Sequence, residues 1–348
     1  GTHFSRTQTW WPYSRPWFDY LARCQFMLQQ GKPVVDLLKL STSAAGMPNT
    51  PGYKTDLCNE ETLARMTIED GAFVLPDGMC YRLLILPETR QMSLPALKEI
   101  ARLVRAGGVV VGPKPNAVPG LTNYPDNDRK LQELAAKIWK NCDGETVKES
   151  RYGKGRIFWG MPLNQVLSTL DIPQDVRVIE AVSGYSVPVG TIAQGIEFNH
   201  RTADGAEIYF ISNQEDCTRE LTATFRVSGM QPSFYDPDTG AVTPVPVYEE
   251  KEGGITMPLR MTPSEARFVV FQPLETPKPH LVQMKYESDA AWHAQQPLEP
   301  LRIHSVLGIS ADNKSSSDLT EGVRELVQDG VLQLTPDLFA QVVQKATN

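Results

Sequence analysis

The first half of the chain alternates between short continuous apolar runs and longer stretches in which apolar residues recur at helical spacing. Continuous apolar runs are typical of strands buried on both faces of a parallel sheet, and amphipathic stretches between them are typical of covering helices. The pattern therefore predicts an open parallel sheet with helices on both faces, a flavodoxin-like α/β domain over residues 14–185. The predicted strands include 34–38, 83–86, 109–112 and 157–159, and the predicted helices are 14–30, 93–108, 127–141 and 162–170.

Residues that begin and end helices support two of these assignments. Ser93 is placed to cap one helix, and Gly107 follows its last residue. Ser14 and Gly31 bracket the first helix in the same way. Trp17 falls on the apolar face of that helix, and we expect it to fold back on the α/β domain.

After residue 185 the pattern changes to an alternation of apolar and polar residues in short segments separated by turns. Alternation with a period of two is typical of half-buried antiparallel strands, and it predicts a β-sandwich domain over residues 186–273. Residues 274–348 are Pro-rich at first and then carry two capped apolar stretches. They predict a linker followed by a short helical tail, with helices at 315–330 and 335–346.

The charge balance excludes some classes of function. The 348 residues include 34 Lys and Arg against 41 Asp and Glu, so the formal net charge is −7. A nucleic-acid binder would carry a basic face, and we expect no nucleic-acid partner. No apolar run approaches the ~20 residues of a membrane helix, so no membrane partner is expected either. The five cysteines have no paired or metal-site spacing, which favours reduced core residues.

Motifs that would identify an enzyme are missing from the sequence. The first predicted strand is not followed by the Gly-rich turn that cradles a dinucleotide, and no G-x-S-x-G segment is present. The five histidines are scattered, which favours surface or loop histidines rather than a metal site. The segment Asp236-Pro-Asp-Thr-Gly is typical of a turn. We therefore predict no catalytic residue and no metal ligand.

The segment 1–13 is unusually rich in aromatic residues mixed with polar ones. One interpretation is a docking or linker segment whose rings face an apolar partner surface, belonging to another domain or to another copy of the chain. The other is a sugar-binding edge, in which Trp10 or Trp11 stacks on a pyranose and Arg6 bonds its hydroxyl groups. For the docking interpretation we expect Trp10 and Trp11 to lie at a contact with another copy of the chain, or to be partly exposed.

Long segments of the chain resemble glycoside hydrolase family 106, the family of large α-L-rhamnosidases. Those in the first half are THFSRTQTWW, PGYKTDLCNEETL, DGAFVLPDGMCYRLLILPE, LVRAGGVVVGPKP and RYGKGRIFWG. Those in the second half are HRTADGAEIYFISNQ, FYDPDTG and ARFVVFQP. The resemblance covers roughly residues 2–273 in colinear order.

The resemblance implies removal of terminal α-L-rhamnose with inversion, by two glutamates and a bound calcium in a TIM-barrel domain. It also implies that the barrel lies upstream and that this chain begins where the barrel ends. The catalytic glutamates then have no counterpart here, and no cofactor is expected in this chain, calcium being implied for the barrel. The implied partners are the upstream barrel or another copy and, in the full-length protein, a rhamnose-containing glycan. A secreted or periplasmic location is implied as well.

Two functions remain open from the sequence, and a third, an enzyme whose active site lies in the α/β domain, is disfavoured by the missing motifs. The first is the non-catalytic post-barrel portion of an α-L-rhamnosidase-like glycoside hydrolase, structural or accessory to rhamnoside hydrolysis. The alternative is a stand-alone carbohydrate-binding or interaction protein built from the same domains. Because the resemblance implies that the barrel and its two glutamates are missing from this chain, we expect the chain alone to be inactive.

Overall fold

The computed structural model describes residues 6–41, 50–180, 193, 195–251, 253–273, 280–286, 303–309 and 316–318. None of the helices within these ranges is long and apolar enough to cross a membrane. A 3₁₀ turn at Trp11–Tyr13 precedes the first helix. The helices are α1 (Arg15–Leu28), α2 (Glu60–Arg65), α3 (Leu94–Ala106), α4 (Asp126–Trp139) and α5 (Leu163–Thr169).

Short strands make up most of the remaining regular structure. Those before residue 175 are β1 (Lys32–Pro33), β2 (Leu37–Leu40), β3 (Thr55–Cys58), β4 (Thr67–Glu69), β5 (Ala72–Val74), β6 (Cys80–Tyr81), β7 (Leu83–Ile85), β8 (Val109–Val111), β9 (Glu149–Tyr152) and β10 (Gly155–Phe158). Those after it are β11 (Val176–Glu180), β12 (Ile196–Ala203), β13 (Ala206–Asn213), β14 (Arg219–Phe225), β15 (Met230–Tyr235), β16 (Val242–Pro244), β17 (Glu249–Lys251), β18 (Gly254–Met261), β19 (Ala266–Pro273), β20 (His280–Tyr286), β21 (Ile303–Ile309) and β22 (Ser316–Asp318).

The chain divides into two compact units. Residues Pro33–Gln174 form one, called here the α/β unit, and Gly1–Lys32 together with Asp175–Asn348 form the other, called the β unit. The division differs from the predicted domains, which placed α1 and β11 in the α/β domain. The predicted limits assumed that a domain is continuous in sequence, whereas α1 makes its core contacts with strands β13 and β19.

The α/β unit is built on a six-stranded sheet in the order β3-β2-β7-β8-β10-β9. Its first five strands are parallel, and β9 is antiparallel to β10. Alternate residues of a strand face opposite sides, and each side has its own core. The side covered by α3 and α4 includes Leu38, Leu84, Val110 and Ile157. The side covered by α5 includes Leu37, Leu83, Ile85 and Phe158.

Helix α3 begins and ends as its sequence predicts. The Ser93 hydroxyl accepts a hydrogen bond from the backbone N–H of Ala96 at 3.1 Å, which satisfies one of the free donors of the first turn. At the other end Gly107 has a φ of +135°. The carbonyl of Leu103 accepts bonds from the backbone N–H groups of Gly107 and Gly108 there. Glycine tolerates this backbone conformation, so the helix stops where the sequence places its stop.

The β unit contains two antiparallel sheets that contribute to one core. Their strand orders are β1-β12-β13-β19-β15-β16 and β11-β14-β18-β17. Strand β14 alternates strictly between buried and half-buried residues. The shared core includes Phe198, Tyr209, Ile211, Val269 and Phe271 from the first sheet and Val178, Leu221, Phe225, Ile255 and Leu259 from the second. The described part of the chain thus consists of mixed sheets accompanied by few helices.

The segment predicted as a linker and helical tail contains strands instead. Strands β20, β21 and β22 form a three-stranded antiparallel sheet. Val282, Met284 and Tyr286 alternate with polar residues, and this period-2 signal outweighs the Pro-rich composition around it. Of the two predicted helices, 335–346 lies outside the described residues, and the described part of 315–330 is strand β22.

Candidate functional site: an aromatic cluster at the start of helix α1

Helix α1 is attached to the β unit by one apolar stripe. Cys24 is buried at the centre of this stripe, against strands β13 and β19. The contact consists of Tyr20, Cys24, Met27 and Leu28 from the helix and Ile208, Phe268 and Val270 from the strands. The helix residues recur at three- and four-residue spacing, so they share one side of the helix. Burial raises the pKa of Tyr20 to about 12, and its hydroxyl stays neutral at physiological pH.

Arg23 ties the middle of α1 to a turn between strands β15 and β16. Its guanidinium donates to the carbonyls of Pro237 at 3.0 Å and Asp238 at 2.8 Å. The turn is the one predicted from Asp236-Pro-Asp-Thr-Gly. The Asp236 carboxylate accepts from the backbone N–H of Asp238 at 2.8 Å, and Gly240 has a φ of +78°. The turn that the local sequence predicts therefore provides the carbonyl oxygens that bind Arg23, which is distant in sequence.

Arg201 of strand β12 is hydrogen-bonded to the backbone just after the C-terminal end of α1. It donates to the carbonyls of Gln30 at 2.5 Å and Gly31 at 2.9 Å, the two residues that follow the C-cap Gln29. Gly31 has a φ of +49°, and a side chain there would collide with the backbone of Thr202. Helix α1 ends at Leu28 with Gln29 as its C-cap, so Gly31 lies one residue beyond the predicted C′ position. Glycine is required there by the close approach of the strand.

The start of α1 differs from the prediction. Ser14 has helical backbone angles and makes no side-chain cap. Its hydroxyl donates to the carbonyl of Trp11 at 2.7 Å instead. The reason is the 3₁₀ turn at Trp11–Tyr13, which leads directly into the helix. Ser14, the residue before α1, therefore already has helical backbone angles. This turn brings the side chains of Trp10 and Trp11 back against those of the helix.

Four aromatic rings form a cluster at this point, Trp10, Trp11, Trp17 and Phe18, referred to below as the aromatic cluster. The ring centroids of Trp10 and Trp17 are 6.1 Å apart with the planes at 87°, and those of Trp17 and Phe18 are 4.9 Å apart. Trp11 lies 6.2 Å from Trp10 and 5.8 Å from Phe18. These separations and tilts are those of favourable edge-to-face contacts.

The tryptophans of the aromatic cluster are all partly exposed. Trp10 and Trp11 are half-buried, and Arg6 lies exposed in the turn before them. Partial exposure of both tryptophans agrees with the expectation, and the structure brings them together. Trp17 is 43% exposed, so the expectation that it folds back is wrong. It lies on the side of the helix that faces the sheet, but one turn before the first residue that contacts the strands.

The carboxyl ends of the parallel strands in the α/β unit carry a second group of polar and aromatic residues. The Arg90 guanidinium lies 5.6 Å from the ring centroid of Trp159, and its Nε donates to the carbonyl of Lys114 at 3.0 Å. The indole N–H of Trp139 donates to the carbonyl of Gly112 at 3.2 Å. These groups bind one another, so the loops at this edge hold each other in place.

Burial disfavours the reactive thiolate form of four cysteines, Cys24, Cys58, Cys80 and Cys142. Burial raises the pKa of Cys58 to about 12, and burial also raises the pKa values of Cys24, Cys80 and Cys142. A thiol with a raised pKa is a poor nucleophile at neutral pH. Within the described ranges no three His, Cys, Asp or Glu side chains are grouped so that they could hold a metal ion.

A buried polar network lies inside the β unit, where His200 bridges two carboxylates. Its Nδ1 lies 2.9 Å from the Asp175 carboxylate, and its Nε2 lies 2.8 Å from that of Glu207. Tyr209 stacks on the imidazole at a centroid distance of 3.8 Å and donates its hydroxyl to Asp175 at 3.1 Å. Arg226 lies 3.5 Å from the same carboxylate. The network links strands β12 and β13 of one sheet to β14 and the start of β11 in the other.

The environment of His200 favours its charged form. Burial opposes protonation, but hydrogen bonds to Asp175 and Glu207 outweigh burial and raise the pKa of His200 above its ordinary value. The imidazole is only 4% exposed and the Asp175 carboxylate 1%, so no substrate reaches them. The network is a structural bridge between the two sheets.

The sequence interpretation missed this network. It assigned all histidines to surfaces or loops, which is wrong for His200. The overlooked signal is the period of strand β12, in which Ile196, Phe198 and His200 are buried and the residues between them are exposed. A histidine in phase with core residues belongs to the core face.

Known proteins resemble the chain over most of its length. The sequence model of glycoside hydrolase family 106, described as alpha-L-rhamnosidase, matches residues 1–250. A rhamnosidase from Novosphingobium sp. PP1Y has a similar structure, with 28% identity and a TM-score of 0.67 over 83% of this chain and 29% of that one. A protein of Formosa agariphila named "Putative beta-glucuronidase" is 31% identical over 344 residues, which is 96% of this chain and 27% of that protein.

The chain therefore spans less than a third of the length of each of these two proteins. The family match covers more than half of this chain and includes α1, the aromatic cluster, the α/β unit and the first part of the β unit. The chain belongs to glycoside hydrolase family 106, the α-L-rhamnosidases.

Proposed function

We propose that the chain is the non-catalytic, post-barrel portion of an α-L-rhamnosidase-like glycoside hydrolase and is a structural accessory to rhamnoside hydrolysis. A glycoside hydrolase-related role follows from the family. The observation that carries the accessory role is coverage: the chain corresponds to 29% of the Novosphingobium rhamnosidase at a TM-score of 0.67. A full-length relative of that length has more than enough residues for a catalytic barrel of ~250 residues elsewhere in its chain.

The proposal includes the finer description of the fold. Numbered along the chain as β2, β3, β7, β8 and β10, the parallel strands have the spatial order 2-1-3-4-5, which is the flavodoxin-like order. The two antiparallel sheets of the β unit share one core, which supports a β-sandwich. In this arrangement the α/β unit and the β unit are the two domains that follow the barrel.

The chemistry is assigned to the upstream barrel. We place the two catalytic glutamates and the calcium of the family there, together with binding of a rhamnose-containing glycan, in a secreted or periplasmic enzyme. The described residues of this chain supply no comparable metal site. The contribution of this chain is structural: it supports the domain that binds substrate.

The second candidate is a stand-alone carbohydrate-binding protein. It is favoured by the adjacent, half-buried rings of Trp10 and Trp11, whose centroids are 6.2 Å apart, with Arg6 exposed nearby in sequence. Indole rings of this kind provide stacking surfaces for the apolar faces of a pyranose. This candidate predicts that the isolated chain binds L-rhamnose, and that Trp10→Ala weakens the binding.

An activity assay of the isolated chain beside the full-length gene product tests the first proposal. Aryl α-L-rhamnosides are the primary substrate, and aryl β-glucuronides are included because one relative is named for that activity. Inverting hydrolysis needs two carboxyl groups ~6.5–9.5 Å apart with water between them. We expect turnover by the full-length protein and none by the isolated chain. Turnover by the isolated chain that is lost on substituting one of its own glutamates would contradict the proposal.

A further inference from the structure

We propose that His200 is a pH-sensitive switch inside the β unit: its protonated ring holds both Asp175 and Glu207, and its neutral ring stays bonded to Asp175 alone and releases Glu207 to solvent. The inference does not rest on the proposed function, since every residue in it belongs to the β unit. Three observations support it. Both ring nitrogens face carboxylates, the two carboxylates differ in burial, and they differ in their other partners.

Only the doubly protonated imidazole of His200 satisfies both contacts. Its Nδ1 lies 2.9 Å from the Asp175 carboxylate and its Nε2 lies 2.8 Å from the Glu207 carboxylate. A neutral imidazole carries one N–H, so its other nitrogen would present a lone pair to a carboxylate oxygen. Burial lowers the pKa of His200, but the hydrogen bonds to the two carboxylates outweigh burial and raise it above its ordinary value. The switch therefore titrates above pH ~6.5.

The difference in burial decides which carboxylate is released. The Asp175 side chain is 1% exposed and the Glu207 side chain 25% exposed. A carboxylate sealed from water depends on protein donors, whereas one that reaches the surface can exchange a protein donor for water. The N–H that remains on neutral His200 should therefore stay on Nδ1, facing Asp175, and Glu207 should turn to water.

The other partners of the two carboxylates favour the same outcome. Within the described ranges, the charged and titratable groups that face the His200 ring are Asp175, Glu207, Tyr209 and Arg226. Asp175 also accepts from the Tyr209 hydroxyl at 3.1 Å and lies 3.5 Å from Arg226. Burial and the charge of Asp175 raise the pKa of Tyr209 well above its ordinary value, so its hydroxyl stays a donor. The described hydrogen bond of the Glu207 carboxylate is the one from His200.

The release acts on the hairpin formed by β12 and β13. His200 lies opposite Tyr209 in the register of these strands, and Glu207 lies opposite Thr202, two positions nearer to the turn. The contact between His200 and Glu207 is thus a diagonal link across the two strands. Asp175, by contrast, adjoins β11 in the other sheet. Deprotonation should loosen the turn end of the hairpin and leave the link between the two sheets in place.

Nitrogen NMR of the 348-residue chain labelled with ¹⁵N-histidine tests the proposal. The chain has five histidines, and the signal of His200 is the one missing from His200→Gln. We expect both ring nitrogens to be protonated at pH about 6, below the unperturbed pKa, and Nδ1 alone to be protonated above the folded-state pKa. His280→Gln should remove a different signal and leave the tautomer of His200 unchanged.

Two glutamine variants provide a matched pair. Glu207→Gln keeps the size of a partly exposed side chain and removes its charge. It should lower the titration midpoint of His200 by at least about one pH unit, as for the loss of an opposite charge within hydrogen-bond distance. Glu197→Gln makes the same substitution on strand β12, at an exposed position on the face opposite to His200. It should leave the midpoint unchanged.

Hydrogen exchange measures the structural consequence. After correction for the intrinsic pH dependence of exchange, protection of the backbone amides of residues 202–207 should fall at least about fivefold as His200 loses its proton, as for the loss of one hydrogen bond between charged groups. In Glu207→Gln the protection of the same amides should not change with pH, because the link that depends on the proton is already absent.

Several results would overturn the proposal. A neutral ring protonated on Nε2 would mean that Asp175 is the carboxylate that is released. A ring with one N–H at pH about 6 would show that His200 does not bridge two carboxylates. An unchanged midpoint in Glu207→Gln, or protection of residues 202–207 that is constant in the unsubstituted chain, would show that Glu207 is not the group that the proton controls. All of these leave the proposed function standing, because that is tested by the activity assay.

Discussion

The two units use the chain in different ways. The α/β unit is one continuous stretch, Pro33–Gln174, in which helices alternate with the parallel strands that they cover. The β unit combines Gly1–Lys32 with the chain after Gln174, so helix α1 packs on strands far along the sequence. The first arrangement can be recognised from local periodicity, whereas the second depends on contacts that no local pattern encodes.

The interiors of the two units differ as well. The core of the α/β unit that contains Val110 consists mainly of aliphatic residues from strand and helix faces, with Phe73, Tyr81 and Trp139 among them. The β unit encloses a histidine that is hydrogen-bonded to two carboxylates and stacked on a tyrosine. An aliphatic core is sensitive to any introduced charge, while a buried ionic network is sensitive to the loss of one partner.

The largest expected effect is that of Val110→Asp in the α/β unit. Val110 is fully buried, so the substitution places an unpaired charge between the sheet and its helices. We expect a loss of about 4 kcal/mol or more in the free energy of unfolding, measured by urea denaturation. Val147→Asp, at a residue of the same unit that is 41% exposed, should change it by less than ~1 kcal/mol. An unchanged urea midpoint for Val110→Asp would contradict the placement of strand β8.

Asp175→Ala should have the next largest effect, in the β unit. The substitution removes the carboxylate that accepts from His200 and Tyr209 and faces Arg226. Breaking a buried pair by removing one partner costs ~3–5 kcal/mol, because the remaining charge is left buried. The matched control is Asp19→Ala, which breaks an exposed pair with Arg15 worth ~0–1 kcal/mol. Equal losses for the two variants would show that the buried network contributes no more than a surface pair.

The pH dependence of stability should show a smaller effect of the same network. The folded-state pKa of His200 is raised above the unfolded value of ~6.5, so its stabilisation is fully present below that pH. Stability should therefore fall as the pH rises from about 6.5 through the folded-state pKa. His200→Gln should flatten this decline in the melting temperature, and His280→Gln should leave it in place. A decline that survives His200→Gln would assign it to another group.

The smallest effect is expected for Arg23→Ala, which loosens the helix that carries the aromatic cluster. Arg23 donates two hydrogen bonds near the surface, and their loss should cost about 1 kcal/mol in the free energy of unfolding. Hydrogen exchange of α1 should become faster. Arg15→Ala, on the same helix but paired only with Asp19 among the contacts described above, should leave the exchange of α1 unchanged. Slow exchange in both variants would show that the apolar contact around Cys24 is sufficient to hold α1 in place.

The sequence predicts the elements of the α/β unit well. The predicted strands 83–86, 109–112 and 157–159 each overlap an observed strand, and α3 begins and ends at its predicted cap and stop. The predicted strand 34–38 begins later, at Leu37. These features depend on neighbours in the sequence, because apolar runs, caps and glycine stops act within a few residues.

The sequence predicted some residues of the candidate site but not the contacts between them. Trp10 and Trp11 were chosen for their composition, and the structure adds their contacts with Trp17 and Phe18. Ser14 did not become a cap, because a 3₁₀ turn before it had already positioned its backbone. The sugar-binding role of Arg6, Trp10 and Trp11 stays a prediction.

Local pattern was thus sufficient for the main strands and helices up to residue 273, the turn at Asp236 and the resemblance to a rhamnosidase family, but not for strands β20–β22. The tertiary structure alone decided that α1 belongs to the β unit, that Arg23 meets the turn after Asp236, and that His200 sits between Asp175 and Glu207. The reason is physical. Caps, turns and periodic faces are set by the energies of adjacent residues, whereas a contact between distant residues forms only when the whole fold brings their segments together.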